Sequence, residues 1–352
     1  MRVLAAVLTA ALLTGCLPNE IDVAPDGRIA LALGEGGSYE FVTDSADLDV
    51  YVLSADLSSI DRLTDDDVRT LSPRFALGGR AVLYVEDGPD EVLWLHDLAT
   101  RERRRVATVS RSDVFPRVSP GGGRVSIAVE NEMKGENDPE PCQVEVLDLA
   151  EGTSLRRLRR VLPVTAWVAE DRLLAVEVVG RVEDMAVGRL TVYRIPDVGA
   201  DQVLAHGLFL GVTPLSVRPD GQAATFASLD FELPIPHGAL EHLEGAALPY
   251  SVHEVSFPDG RLGEEAPGFL SDYDPAGKRS HAVMLPEDRS RIVYGEASIE
   301  VAGFGYHRFV GPGRLLHVDI LPHEAPDRLL LRDFTTGETV DVSARIEGLL
   351  RR

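Results

Sequence analysis

The chain has 352 residues, 44% hydrophobic and 26% charged, with 57 Asp+Glu against 35 Lys+Arg and a formal net charge of −22. This composition excludes a disordered or collagen-like chain, and two cysteines exclude a disulfide scaffold. The acidic balance argues against nucleic acid as a partner and against docking of the folded body on anionic lipid, since both need a basic surface.

Read from the N-terminus, the first element is a leader. Met1-Arg2 is basic, Val3 to Leu13 is apolar, and Leu13-Thr14-Gly15-Cys16 follows. Basic, apolar and then small residues form a secretory signal, and the run is too short to span a bilayer as a helix. It is the only stretch apolar enough to enter a membrane, so a multi-span protein is excluded. Leu13 to Cys16 resembles the bacterial lipobox. The resemblance implies removal of residues 1–15 as a signal peptide and acylation of Cys16. Two or three acyl chains anchor stably where one does not. Leu17, in place of an Asp, favours the outer membrane by the same resemblance. The alternative is an ordinary signal peptide in which Cys16 stands by chance. Residues 16–27 then form a lipidated tether and first turn. Cys142 is left without a disulfide partner, among carboxylates that raise a thiol pKa, and reads as a loop thiol.

From there, short apolar runs alternate with Gly, Pro and Asp clusters, which is an all-β pattern. The best helical candidate, Gly238 to Leu248, is short. A turn followed by Arg or Gln and an apolar strand recurs. The copies are Pro25-Asp26-Gly27-Arg28, Gly78-Gly79-Arg80, Pro120 to Arg124, Glu170-Asp171-Arg172, Pro219-Asp220-Gly221-Gln222, Glu287 to Arg291 and Pro312-Gly313-Arg314. The steps between their Arg/Gln positions are 52, 44, 48, 50, 69 and 23 residues. A period near 45–50 is that of a four-stranded propeller blade. Outer hairpins follow the turns, as in Val50 to Thr64, Val92 to Val106, Val144 to Leu158, Leu190 to Leu204 and Leu329 to Val340. The expected fold is a single β-propeller of four-stranded antiparallel blades over residues 28–346, with a tail at 347–352. Seven copies predict seven blades, and the short last step leaves six as the alternative.

These turns and hairpins resemble the TolB-type, WD-repeat-like β-propeller family over about residues 20–343. The resemblance implies fold more than activity. The chain departs from it in having no room for the α/β domain of TolB or the hydrolase domain of prolyl oligopeptidase relatives. Neither the TolB partner site nor the peptidase chemistry therefore carries over. The ring is expected to close by pairing the N-terminal segment with the last hairpin near Leu329–Val342.

Linear motifs for chemistry are sparse. No Gly-x-Ser-x-Gly elbow is present, and Lys134 and Lys278, the only lysines, fit no phosphate loop. His237, His242 and His253 with Glu241 and Glu244 have the donor types for zinc. Yet His242 and Glu241 are adjacent and diverge on any regular element, so loop histidines are the plainer reading. His253-Glu254 and His323-Glu324 lack the second His of a helical zinc motif. Asp65-Asp66-Asp67 and Glu130 to Glu140 offer oxygens for calcium but not the ordered spacing, and read as solvated loops. Trp94 and Trp167 fall on strands, where inter-blade packing outweighs ligand stacking. The insertion Asp230–Tyr250 is either a binding lid or a passive decoration. Lipidation at Cys16 is the one site expected, with no catalytic residue, cofactor or metal. The functional expectation is a monomeric cell-envelope lipoprotein whose propeller binds or scaffolds envelope proteins. The alternative is an envelope hydrolase or lyase acting on glycan or peptide at the channel mouth.

Overall fold

The computed structural model describes residues 21–351 apart from 40–47, 66, 89–90, 110–115, 130–142, 183–184, 197–200, 210–214, 230–249, 258, 287–288, 304 and 321–326. Its strands form seven four-stranded antiparallel sheets, each in sequence order, so the fold is a seven-bladed β-propeller and the six-bladed alternative is set aside. Blade 1 comprises Asp22–Val23, Ile29–Leu33, Asp49–Leu53 and Ile60–Arg62. Blade 2 comprises Thr70–Ala76, Ala81–Glu86, Glu91–Asp97 and Arg103–Val109; blade 3 comprises Arg117–Val118, Arg124–Val129, Gln143–Asp148 and Ser154–Leu158. Blade 4 is Val161–Ala169, Arg172–Val182, Met185–Arg194 and Gln202–Phe209, and blade 5 is Leu215–Val217, Ala223–Leu229, Tyr250–Ser256 and Leu262–Pro267. Blade 6 is Leu270–Tyr273, Arg279–Leu285, Arg289–Tyr294 and Ala297–Ala302, and blade 7 is His307–Gly311, Arg314–Asp319, Arg328–Asp333 and Thr339–Asp341.

The chain divides into two compact units. One is built around Arg157–Tyr306 and holds blades 4, 5 and 6. Its core stacks blade 4 on blade 5 through Leu174, Val176, Leu190, Phe209, Phe226 and Val255. The other holds blades 1, 2 and 7 and nearly all of blade 3. Here Ala30, Val50 and Val52 of blade 1 pack on Val82 and Tyr84 of blade 2. Leu83, Leu93 and Leu95 of blade 2 pack on Val125, Ile127 and Leu147 of blade 3. The alternation of the strands thus serves inter-blade contact, as expected of Trp94, which packs against the blade 1–blade 2 cluster.

The recurrent turn joins the first and second strands. In blades 1, 3, 5 and 6 its glycine N–H donates to the residue three before it: Gly27 to Ala24, Gly122 to Ser119, Gly221 to Arg218 and Gly277 to Asp274, at 2.8–2.9 Å. The blade 6 copy is therefore Asp274-Pro275-Ala276-Gly277-Lys278. The stretch Glu287 to Arg291, read above as that copy, joins the second strand to the third. With Lys278 as the marker, the last two steps are 56 residues from Gln222 and 36 to Arg314, which removes the short gap.

The outer hairpins repeat a second device. The carboxylates of Asp97, Asp148 and Asp333 each accept from two successive backbone N–H groups, at 2.7–3.0 Å. The next, apolar residue donates its N–H back to the start of the second strand: Leu98 to Arg80, Leu149 to Gly123 and Phe334 to Gly313.

Two boundaries differ from the sequence reading. The first strand begins at Asp22, inside the segment expected as tether, and a helix, Val342–Leu350, runs through the expected boundary at 346. The expected closure is also corrected. All four strands of blade 7 come from the C-terminal segment, and Asp22–Val23 pairs within blade 1. The helix joins the two blades instead, lying against the third strand of blade 7, the Glu35–Gly37 turn and the fourth strand of blade 1. Asp341 caps it by accepting from Ala344 N at 2.9 Å, and Val342 and Ile346 are buried.

Candidate functional site

The blade repeat locates a set of equivalent positions. Six residues before the Arg, Gln or Lys that follows each turn stand Asp22, Arg74, Ala166, Ser216, Asp272 and Arg308; blade 3, whose turn is one residue longer, places Arg117 there. All lie on first strands. Six of the seven are polar or charged, although the strands carrying them are otherwise largely apolar.

In the unit of blades 7, 1, 2 and 3, the first strands neighbour one another: blade 1 touches blades 7 and 2, and blade 2 touches blade 3. Arg308, Asp22, Arg74 and Arg117 are thereby gathered. Asp22 Oδ2 accepts from Phe75 N of blade 2 at 2.7 Å. Burial pushes its carboxyl up, opposed by that hydrogen bond and by the positive charges of Arg308 and Arg117. Dense protein surrounds Asp22, yet it keeps partial contact with solvent, as do Arg117 and Arg308. Arg74 is 4% exposed and braced by backbone: Nε donates to Pro116 O at 3.0 Å and Nη1 to Pro73 O at 2.9 Å. Arg28 strengthens the same blade junction through Gly79 O at 2.7 Å and by lying over the Phe75 ring. The four groups carry three positive charges and one negative. Guanidiniums at fixed positions, partly desolvated, are suited to holding oxyanions through paired N–H donors.

In the unit of blades 4, 5 and 6, the equivalent residues make a neutral-to-acidic seam. Ser216 donates to Asp272 at 3.0 Å and Ser271 to Thr225 at 2.5 Å. Tyr273 donates to Glu254 at 2.7 Å, and burial together with that carboxylate pushes the phenol up. Tyr294 donates to Asp274 at 2.5 Å beneath the ammonium of Lys278, 3.9 Å from the ring centroid.

Of the residues singled out in the sequence, Cys16, Cys142, His237, His242, Glu241, Glu244, His323 and Glu324 lie outside the described residues, as do the candidate helix and nearly all of the 230–250 insertion. His253 is described and stacks on Phe226, with centroids 5.2 Å apart. Asp65 pairs with Arg62 at 2.7 Å. Trp167 is buried in the first strand of blade 4. Among the described residues, no three His, Cys, Asp or Glu side chains cluster as metal ligands, and no helix is long and apolar enough to cross a membrane. Asp22, Arg117 and Arg308 were not singled out by motif. The signal that finds them is their constant offset from the turn.

A seven-bladed propeller with a charged first-strand row can be set beside known proteins. No family model matches the chain, and no curated protein matches it in sequence. Solved structures do. An oligogalacturonate lyase in complex with manganese matches at 12% identity and a TM-score of 0.59, over 90% of this chain and 96% of that one. The acylaminoacyl peptidase of Pyrococcus horikoshii matches at 12% identity and a TM-score of 0.61, over 94% of this chain. TolB from Acinetobacter baumannii matches at 14% identity and a TM-score of 0.48, over 96% of this chain. The chain spans 53% of the peptidase and 65% of TolB. The likenesses to the lyase and the peptidase are of fold, and agree with the β-propeller described above.

Proposed function

We propose that the protein is a cell-envelope lipoprotein, anchored through acyl chains on Cys16, whose propeller is a protein-binding or scaffolding module. The outer membrane is the favoured location. One observation carries the reading: a lipobox-like Leu13-Thr14-Gly15-Cys16 stands six residues before the first propeller strand at Asp22. An anchor so near a rigid body holds that body at the membrane surface. The charged first-strand row supports binding, because such a scaffold fixes side chains for recognition. The test is fractionation of cells expressing wild type and Cys16→Ala, with and without globomycin. Wild type is expected in the membrane fraction and to accumulate as precursor with the drug, and Cys16→Ala in the soluble fraction. Equal partition of the two proteins would overturn the anchor. Crosslinking and pull-down from detergent-solubilised envelope then tests binding.

A second reading, an envelope lyase or hydrolase, is favoured by the near-complete coverage of the matching lyase by this chain. Product release from oligogalacturonate by the purified chain with manganese would support it.

A further inference from the structure

We propose that the cleft between the turns of blades 5 and 6, walled by Arg218 and Asp220, binds a free α-amino acid with an apolar side chain in its zwitterionic form. The inference goes beyond the binding-module reading and does not depend on it. Both blades belong to one compact unit. The cleft has a volume of about 400 Å³, within the range of small-ligand sites, and is lined by Arg218, Pro219 and Asp220 of blade 5 and Pro275, Ala276 and Gly277 of blade 6. Its opening has a cause in the sequence. At two other junctions the turn of one blade meets the backbone of the blade before it. Leu77 N of blade 2 donates to Gly122 O of blade 3 at 3.2 Å, and a Cβ built on Gly221 of blade 5 would lie 2.7 Å from Val168 O of blade 4. Val168 and Arg218 are equivalent, each four residues before its turn marker, Arg172 or Gln222. Where blade 4 has valine, blade 5 has a long side chain. A Cβ built on Gly277 of blade 6 would meet the Cγ and Cδ of Arg218, at 3.5 Å, and not backbone. The aliphatic stem of Arg218 thus stands between the two turns.

The charged groups on the wall define the chemistry of the guest. Arg218 Nε donates to Oδ1 and Oδ2 of Asp220 at 2.8 and 3.0 Å. The pair is made through Nε, and Nη1 and Nη2 have no acceptor among the described residues. They offer paired N–H donors to a carboxylate. Asp220 Oδ1 also accepts from Gln222 N at 2.9 Å, whereas Oδ2 accepts from Nε alone and keeps a lone pair for an ammonium. Hydrogen bonds from Arg218 and Gln222 N hold the Asp220 carboxyl below its usual range, so it is charged at neutral pH. Arg218 and Asp220 together carry no net charge, which matches a guest with one positive and one negative end. A phosphate or dicarboxylate fits less well, since it would meet a fixed carboxylate on a molecule of net charge −22. Pro219, Pro275 and Ala276 add apolar contact and no further charge.

The test is an NMR titration of isotope-labelled L-leucine with the full chain in detergent. Saturable line broadening is expected in the millimolar range, as suits a half-exposed ion pair. Isocaproate, which lacks the amine, and isoamylamine, which lacks the carboxylate, are expected to bind about threefold to fivefold more weakly than leucine. Arg218→Gln and Asp220→Asn are each expected to weaken leucine by a similar factor, and Asp220→Asn keeps an acceptor for Gln222 N. Ala276→Phe fills the cleft from an exposed position outside the core and is expected to abolish binding with the melting temperature unchanged. That variant keeps the test decisive even if a change at Arg218 disturbs the fold. Absence of saturable broadening with wild type overturns the proposal. So does isocaproate binding as tightly as leucine, which assigns the cleft to carboxylates alone, and so does leucine binding that Ala276→Phe leaves unchanged.

Discussion

Gly221 shows how tightly a single position is held. Its φ is 66°, and a Cβ built there would lie 2.7 Å from Val168 O of the neighbouring blade. Both the backbone conformation and the contact exclude a side chain. Gly221→Ala is expected to destabilise the protein by about 2 kcal/mol or more, read as a lower midpoint in urea at unchanged slope. His317 makes a different demand. It is buried in blade 7 beside His307, its cross-strand partner, and near Arg332. Burial, His307 and Arg332 push its pKa down from 6.5 to about 4. Asp319, 3.8 Å away, is beyond hydrogen-bond reach. The folded state thus holds the imidazole neutral, while the unfolded chain takes up a proton at the ordinary value. Stability from this group is complete above about pH 6.5, declines as pH falls towards 4, and changes no further below that. The loss amounts to roughly 3 kcal/mol. His317→Leu, which also removes a buried Nδ1 lacking a hydrogen-bond partner, is expected to flatten melting temperature against pH across that window. An unchanged slope would contradict the assignment.

At the scale of elements, the C-terminal helix holds the junction between the last blade and the first. Ile346 is fully buried, and with Leu350 it covers Gly37. Ile346→Ala is expected to cost about 3 kcal/mol, and Asp341→Ala about 1 kcal/mol through loss of the cap, both measurable by denaturant titration. Little of this helix was legible in the sequence. It has nine residues, and only Val342 and Ile346 are buried, too few for a periodic signal. The blades were legible because the same devices recur at blade spacing, the glycine turn in blades 1, 3, 5 and 6 and the Asp-capped hairpin in blades 2, 3 and 7. The one misplaced copy has a local cause. Asp274-Pro275-Ala276-Gly277-Lys278 carries Ala and Lys where other copies carry Asp and Arg, while Glu287 to Arg291 imitates the pattern at the next hairpin. The charged row was legible only in part. Its members lie on first strands of two to seven residues and meet across separations such as Asp22 to Arg308, which no local motif encodes.

Over the whole molecule, the proposed anchor and the propeller make separate demands. Under the proposed anchoring at Cys16, Cys16→Ala is expected to leave the melting temperature of the propeller unchanged while releasing it from the membrane fraction. The closure by a helix has a further consequence. Since, among the described residues, blade 7 borrows no strand from the N-terminal segment and blade 1 none from the C-terminal segment, each described sheet is covalently local. Circular permutants that link the natural ends and open between Leu158 and Val161 would sever no hydrogen-bonded ladder. During synthesis, each sheet can also be completed as soon as its own stretch of polypeptide has emerged, without waiting for a distant terminus to arrive.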